Sequence, residues 1–231
     1  SSRADIAVHS AKDMPAAGHV DLVLAAVPER ADPRDMLIGA TMRTLPPGAT
    51  IATGSVRRRA QLAWARPDLT FTGLRGNIAT RLTRIPDGGA IVMAAAAVDR
   101  LEIALDAVEH ELLSPAEMLP QVAQGALAVE CRRDDDNTVE LLAAIEHVAS
   151  RRAVDAERGF LAELGGDCDL PAAAHASETP NGALEIEGLL ASLDGHVVLR
   201  HRELTNETEA GGRAVARYLL DDAGGAALLA R

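Results

Sequence analysis

TGSVRRRAQL, residues 53–62, is the stretch from which the rest of the chain can be read. It follows the apolar run Ala49-Thr50-Ile51-Ala52, which reads as a buried strand. Gly54 and Ser55 supply a turn, Ser55 is a good N-cap, and a helix is expected from Val56 to Arg66, where Pro67 stops it. A strand, a Gly-Ser turn and a helix start make an anion site, because free backbone N–H groups and the positive end of the helix dipole point the same way. Arg57 and Arg58 put two guanidinium groups in the first turn, where positive charge opposes the dipole. Two readings stay open. An anionic ligand sits against them, or they are salt-bridged arginines on a solvated helix start.

The same pattern continues downstream. Leu69–Gly73 reads as a strand, Asn77 as the cap of a helix over Ile78–Arg84, and Pro86-Asp87-Gly88-Gly89 as a turn into a strand over Ala90–Ala94. Strands alternating with helices predict an α/β fold with a parallel sheet and right-handed crossovers. Arg75 follows the second strand, Arg81 lies one turn into its helix, and Arg100 follows the third strand. Arg57, Arg58, Arg75, Arg81 and Arg100 are therefore expected near one sheet edge, as a ligand with several carboxylates or phosphates would need. No Walker pattern accompanies them, which argues against a nucleoside triphosphate.

Composition sharpens this. The 231 residues carry a net charge of −11, which argues against a general nucleic-acid or membrane binder and makes clustered positive charge more telling. Hydrophobic residues make up 48% but aromatic residues only 2%, so the cores must be Ala, Leu and Val. Cys131 and Cys168 form no CxxC pair; neither a disulfide framework nor a metal site is expected, and a reducing cytosol fits. No apolar run reaches membrane-span length. Of the 23 basic residues Lys12 alone is lysine, so a compact ammonium stands where every other cation is a planar fork. Chance is the other explanation for that lysine.

Around this centre, Ala4–Val8 reads as a buried strand with His9, Ser10, Lys12 and Asp13 at its C-terminal end, where α/β proteins place ligands. Lys12 and Asp13 either face a cleft or form a surface salt bridge; His9 reads as a hydrogen-bonded structural histidine. Val20–Val27 is a second strand, 28–35 a charged Pro-containing linker, and Met36–Gly39 the start of a new element. Leu119–Gly125 reads as a second crossover leading to a strand over Ala126–Cys131, with Cys131 a core thiol. Two crossovers between two α/β lobes predict a hinged cleft. Asn137–Leu164 reads as helical, and Gly165–Pro171 as a loop exposing Cys168, whose flanking Asp167 and Asp169 would raise its pKa. The remainder reads as a small α+β unit: a strand over Ala172–Ser177, a hairpin of Leu184–Leu190 and His196–Glu203 around Asp194-Gly195, and a helix from Thr208 to Arg217 or on to Leu229.

ADIAVHSAKD (4–13), ERADPRD (29–35), TGSVRRRAQL (53–62), RPDL (66–69), LRGNIATRL (74–82), VAQGALAVECR (122–132) and GGDCDLP (165–171) stand in the order found in one family. The chain resembles porphobilinogen deaminase, also called hydroxymethylbilane synthase, over nearly its whole length. The resemblance implies two lobes like those of periplasmic binding proteins plus a small C-terminal α+β domain. The expected division is 1–30 with 124–146, then 31–123, then 147–231, the first lobe being incomplete. It implies a dipyrromethane cofactor held by a thioether to Cys168, to which four porphobilinogen units are added with loss of ammonia. The product is hydroxymethylbilane, passed on to uroporphyrinogen-III synthase. Asp13 matches the family's catalytic aspartate. Lys12, Ser10, Thr53, Gly54, Ser55, Arg57, Arg58, Arg75, Arg81, Arg100, Gln124 and Gly125 are expected to bind substrate or cofactor, and Gln124 and Gly125 also to form the second hinge. A cytoplasmic monomer is implied, with no nucleic acid, membrane or metal.

Three departures accompany the resemblance. The family's long N-terminal segment, with a strand, a helix and a mobile lid, is expected before Ala4–Val8 and does not stand there, which implies a fragment whose own activity is in doubt. Gly54 stands where many relatives carry serine, and Asp167 and Asp169 flank Cys168 where relatives often carry small or uncharged residues. The competing function is a bilobed anion-binding protein without catalysis, or a regulatory relative that has lost activity.

Overall fold

The computed structural model describes residues 4–15, 18–165 and 170–229, so Cys168 with Asp167 and Asp169 lies outside the described residues. In chain order, β1 (Ile6–Ser10) enters a 3-10 turn at Ala11–Asp13, and β2 (Leu22–Ala26) follows. An extended segment leads to β3 (Asp35–Ile38), β4 (Thr50–Ala52), α1 (Val56–Ala65), β5 (Thr70–Thr72) and α2 (Ile78–Leu82). Then come β6 (Ala90–Ala94), α3 (Ala95–Arg100), β7 (His110–Leu112) and β8 (Leu127–Arg132). The C-terminal part holds α4 (Asp136–Leu142), α5 (Val148–Glu163), β9 (Ala172–Glu178), β10 (Leu184–Ala191), β11 (Val198–Thr205), α6 (Glu209–Arg217) and α7 (Ala226–Leu229).

Three sheets result, ordered β1-β8-β2, β5-β4-β6-β3-β7 and β11-β10-β9. The expected parallel unit exists: β4 runs parallel to both β5 and β6. The five-stranded sheet as a whole is mixed, because β3 pairs antiparallel with β6 and with β7. β3 follows the crossover out of the first sheet and β7 precedes the crossover back, so neither belongs to the strand–helix–strand run. The first sheet is antiparallel throughout, with β8 returning between β1 and β2. Core clusters line both faces of the five-stranded sheet, built on Leu37, Ile51, Leu62 and Val92 on one side and Ile38, Ile91, Met93 and Val98 on the other.

One expected helix is interrupted, and a second ends at the nearer of its two expected limits. The run expected over Asn137–Leu164 ends in a 3-10 turn at Ala143–Ile145, and α5 starts afresh. The break is held by β2's end: Val27 N–H donates to Glu146 Oε2 at 2.7 Å, and His147 N–H donates to the Val27 carbonyl at 2.9 Å. His147 then caps α5, its Nδ1 accepting from Ser150 N–H at 3.3 Å. Downstream, α6 passes into a wide turn at Tyr218–Asp222 before α7. With so few aromatic residues, helices α5 and α6 meet backbone to backbone; a Cβ on Gly212 would collide with the Ala156 carbonyl.

One buried ion pair ties the crossovers to the C-terminal part. Glu157 on α5 is 0% exposed and takes both Arg30 Nη1 at 2.6 Å and Arg30 Nη2 at 3.0 Å. Its other acceptor sites hold Ala123 N–H at 2.5 Å and Ala176 N–H at 2.9 Å, and Arg30 Nε donates to the Gln124 carbonyl at 2.8 Å. Burial alone would raise the Glu157 carboxyl, but Arg30 and the neighbouring His175 outweigh it and bring it from the ordinary 4.5 to about 2. A carboxyl depressed in the folded state adds stability above its unfolded pKa and loses it as pH falls through the folded one. Glu157→Ala, which strands Arg30, is expected to cost about 3–5 kcal/mol in denaturant unfolding at pH 7. That difference from the parent should shrink between pH 4.5 and about 2.

Candidate functional site

The α1 start is built as the sequence suggests. Ser55 caps the helix, its Oγ accepting from Arg58 N–H at 3.4 Å, and Thr53 Oγ1 beneath the turn accepts from Ser55 N–H at 3.2 Å. The two arginines do not project into solvent. Arg57 is 3% and Arg58 7% exposed, and both converge on Asp35, the first residue of β3, itself 0% exposed. Arg57 Nη1 donates to Asp35 Oδ2 at 2.8 Å and to the Leu119 carbonyl at 2.7 Å. Arg58 donates to Asp35 Oδ1 through Nη2 at 2.7 Å and Nε at 3.0 Å, and through Nη1 to the Val92 carbonyl at 3.0 Å. Burial would raise the Asp35 carboxyl; Arg57 and Arg58 override it and hold it well below the usual range. The salt-bridged reading is thus half right, but the bridge is buried. Asp35 was not singled out from the sequence, although it closes the segment 29–35.

One carboxylate cannot satisfy two guanidinium groups. Arg57 Nε and Nη2 are buried without a hydrogen-bond partner, and burial followed by the repulsion of Arg58 depresses the Arg57 pKa. Arg57 lines a small cavity of about 50 Å³ with Lys12, Ser55, Gln121 and Leu170, the last standing two residues beyond Cys168. An unsatisfied buried guanidinium costs free energy unless an anion meets it.

A larger cleft of about 930 Å³ adjoins it. Its walls come from the end of β1, the α1 start, the β5–α2 loop and α3. Ser10, Lys12, Asp13, Gly54, Ser55, Arg58, Arg75, Arg81 and Arg100 all line it. Four of the five arginines expected together therefore share this cleft, and Arg57 is turned to the smaller cavity behind it. Asn77 caps α2 with Oδ1 accepting from Thr80 N–H at 2.9 Å, and Arg81 Nε donates to the Gly76 carbonyl at 2.8 Å. Gly54 has the Leu74 carbonyl 2.9 Å from where a Cβ would stand, so the lack of a side chain lets the Arg75 loop close on the α1 start.

Lys12 makes no ion pair among the described residues. Burial, and after it Arg58, lower its pKa to about 8 against the pull of Asp13 and Asp35. His9 Nε2 lies 3.1 Å from Glu130 Oε2 on the neighbouring strand, away from the cleft lining. Thr53 and Gln124 are also off the cleft wall. Gln124 Nε2 donates to Asp35 Oδ1 at 3.0 Å and to the Pro33 carbonyl at 2.7 Å. Gly125, at φ +88°, accepts from Arg100 Nη2 at 2.6 Å through its carbonyl. Cys131 is buried in β8, as expected of a core thiol.

A second groove, about 870 Å³, runs along β1, β2 and β8, but there Arg132 and Arg133 are offset by Asp5, Asp21 and Asp134. Of these two, among the described residues, the larger cleft carries the excess of positive charge beside a single carboxylate, Asp13. That arrangement has the chemistry to take an organic polyanion with one acid group against it.

Residues 1–140 match the family model described as "Porphobilinogen deaminase, dipyromethane cofactor binding domain", and residues 151–221 match "Porphobilinogen deaminase, C-terminal domain". The porphobilinogen deaminase of Roseiflexus castenholzii is 47% identical over 234 residues, covering 99% of this chain and 76% of that protein. That of Bacillus pumilus is 43% identical over 222 residues, covering 94% and 71%. The chain belongs to the porphobilinogen deaminase family.

The burial pattern separates two kinds of arginine. Arg75→Ala and Arg81→Ala are each expected to weaken binding of a polycarboxylate such as benzenehexacarboxylate about tenfold in calorimetry, the worth of one charge-assisted hydrogen bond, with little change in unfolding temperature. Arg58→Ala is expected to do both, since it also removes two of the hydrogen bonds that buried Asp35 accepts and the tie to the Val92 carbonyl.

Proposed function

We propose that the chain catalyses the stepwise joining of four porphobilinogen units into hydroxymethylbilane with release of ammonia, a transferase step of tetrapyrrole biosynthesis. The observation that carries this reading is the cation-lined cleft with Asp13 in its wall, backed by the unpaired Arg57 donors. Each pyrrole unit carries an acetate and a propionate, so a growing chain is a polycarboxylate. Arg58, Arg75, Arg81 and Arg100 hold those groups, with Ser10, Ser55 and Lys12 beside them. Loss of ammonia from porphobilinogen leaves a cation on the ring and its methylene carbon, and the Asp13 carboxylate stabilises it.

The family model that matches residues 1–140 is described as binding a dipyromethane cofactor. The residues present suit such a group: Arg57 has two buried donors to offer a carboxylate, in a cavity that Leu170 helps to close. Cys168 would form the thioether to it, and Arg57 and Ser55, with Lys12 beside them, would hold its acid side chains. When bound, this cofactor supplies the pyrrole end on which the chain is built.

The five-stranded sheet and the β1-β8-β2 sheet act as two lobes of the periplasmic-binding-protein kind, over 31–123 and over 1–30 with 124–146, while 147–231 forms the domain bearing the cofactor. Residues 28–34 and 119–125 cross between the lobes, so the buried Gln124 and Gly125 act as a hinge without touching ligand, and Thr53 acts by shaping the turn. No helix of the described residues is long and apolar enough to cross a membrane. A cytoplasmic monomer that hands its product to uroporphyrinogen-III synthase completes the reading.

Intact mass of the full-length protein tests it. The parent should carry the added mass of a dipyrromethane, and Cys168→Ser should lack it; an unmodified parent cysteine would favour a binding protein without catalysis. Asp13→Asn should keep the added mass and lose about 100-fold or more in turnover. Near-normal turnover in that variant would remove Asp13 from the chemistry.

A further inference from the structure

Among the described residues, the cleft wall holds only two side chains able to exchange a proton. Its lining comprises Ser10, Lys12, Asp13, Ser55, Arg58, Arg75, Asn77, Arg81, Arg100 and Gln121 besides apolar groups and glycines, with no histidine, tyrosine, cysteine or glutamate. Guanidinium groups stay charged at any working pH. That leaves Asp13 and Lys12. Joining two pyrrole units asks two things of them at once. A carboxylate must stay ionised beside the cation that forms when the C–N bond breaks, and a base must take the proton that leaves the attacked ring carbon.

We infer that Lys12 is a second catalytic residue of this site, whose neutral amine carries the proton while Asp13 remains the counter-charge. This rests on the porphobilinogen reading above. The aminomethyl C–N bond breaks and the nitrogen leaves with its pair as ammonia. The methylene carbon forms a C–C bond to the unsubstituted α-carbon of the neighbouring pyrrole. That carbon gives its proton to Lys12 Nζ, and the Lys12 ammonium passes it to the departing ammonia, which leaves as ammonium. The substrate's ammonium charge thus ends on the leaving group, and Lys12 is neutral again.

Four observations support this role over simple charge. Lys12 is the chain's one lysine, where arginine supplies every other cation. It sits next to Asp13 in the Ala11–Asp13 turn, and it lines both the large cleft and the small cavity behind it. Its ammonium has no ion-pair partner among the described residues. The charges acting on it are Arg58 and Arg57 on one side and Asp13 and Asp35 on the other, and with burial they bring it to about 8, where the neutral amine is accessible.

With lysine labelled at the ε-carbon by carbon-13, the side-chain resonance that Lys12→Arg removes reports Lys12, and it should titrate near pH 8 in the full-length protein. The free-enzyme profile of kcat/KM should fall as pH drops through the same value. Lys12→Arg keeps the charge and removes the base. It should keep the cofactor mass and KM within a few-fold, lose kcat about 100-fold and lose that limb of the profile. Lys12→Ala should recover turnover with added alkylamines. The proposal is overturned by a resonance that stays charged to pH 10, by Lys12→Arg retaining kcat and profile, or by a folded Lys12→Ala that alkylamines do not rescue. A parent that makes no hydroxymethylbilane overturns the reading beneath it instead, and the resonance still reports Lys12 by itself.

Discussion

A single carboxylate, Asp35, sits in the interior between two guanidinium groups, and the site is built around that imbalance. A buried ion pair is weak as a source of net stability, because desolvating the charges offsets their attraction. Its value here is registration. Asp35 opens β3, Arg57 and Arg58 open α1, and the Leu119 carbonyl belongs to the second crossover. Gln61, one turn further along α1, grips Leu119 from both sides, donating to its carbonyl at 3.1 Å and accepting from its N–H at 2.7 Å. Two segments distant in sequence are thereby fixed to one helix start, with one positive charge left unmatched.

That surplus explains how an acidic chain presents an anion site. At a net charge of −11 the surface as a whole repels a polycarboxylate, so affinity must come from charge placed where water is thin. The cleft does this in two layers. Arg57 and Arg58 are held inside by Asp35 and cannot swing away, whereas Arg75 and Arg100 are exposed on its rim. Inner charges fix where an anion sits; outer ones can follow a ligand whose length changes.

The strand–turn–helix around residues 53–62 was legible because each step has a local cause: an apolar run, a Gly-Ser turn, a capping hydroxyl and a proline stop. The C-terminal hairpin was legible for the same reason, with Gly195 at φ +76° in its turn. What could not be read were relations between distant segments. Nothing near Asp35 in sequence says that it meets Arg57 and Arg58, and nothing in the run from Asn137 to Leu164 says that Val27 breaks it. The mixed order of the five-stranded sheet was hidden likewise, since the strand–helix alternation speaks only for β4, β5 and β6. Four of the five arginines expected together do share one cleft, but burial, which separates Arg57 and Arg58 from Arg75 and Arg100, is a property of packing alone.

The crossover residues and the cation wall share hydrogen bonds, and this has a consequence for how ligand length is felt. Gly125 gives its carbonyl to Arg100 on the cleft wall, and Gln124 gives its amide to Asp35, which holds Arg57 and Arg58. On the other side the Gln124 carbonyl accepts from Arg30, which Glu157 anchors in the C-terminal part. At Gly125 a side chain would meet the Ala31 carbonyl at 2.5 Å, so the two crossovers touch there directly. On the proposed reading, a ligand carboxylate that takes Arg100 Nη2 competes with the Gly125 carbonyl for that group. Binding on the wall and the set of the crossover are therefore coupled by that competition, and a ligand shifts the crossover only by as much as it favours one arrangement over the other. A wall of arginines alone would bind any polyanion; arginines shared with the crossovers bind it at a cost that depends on where its charges fall.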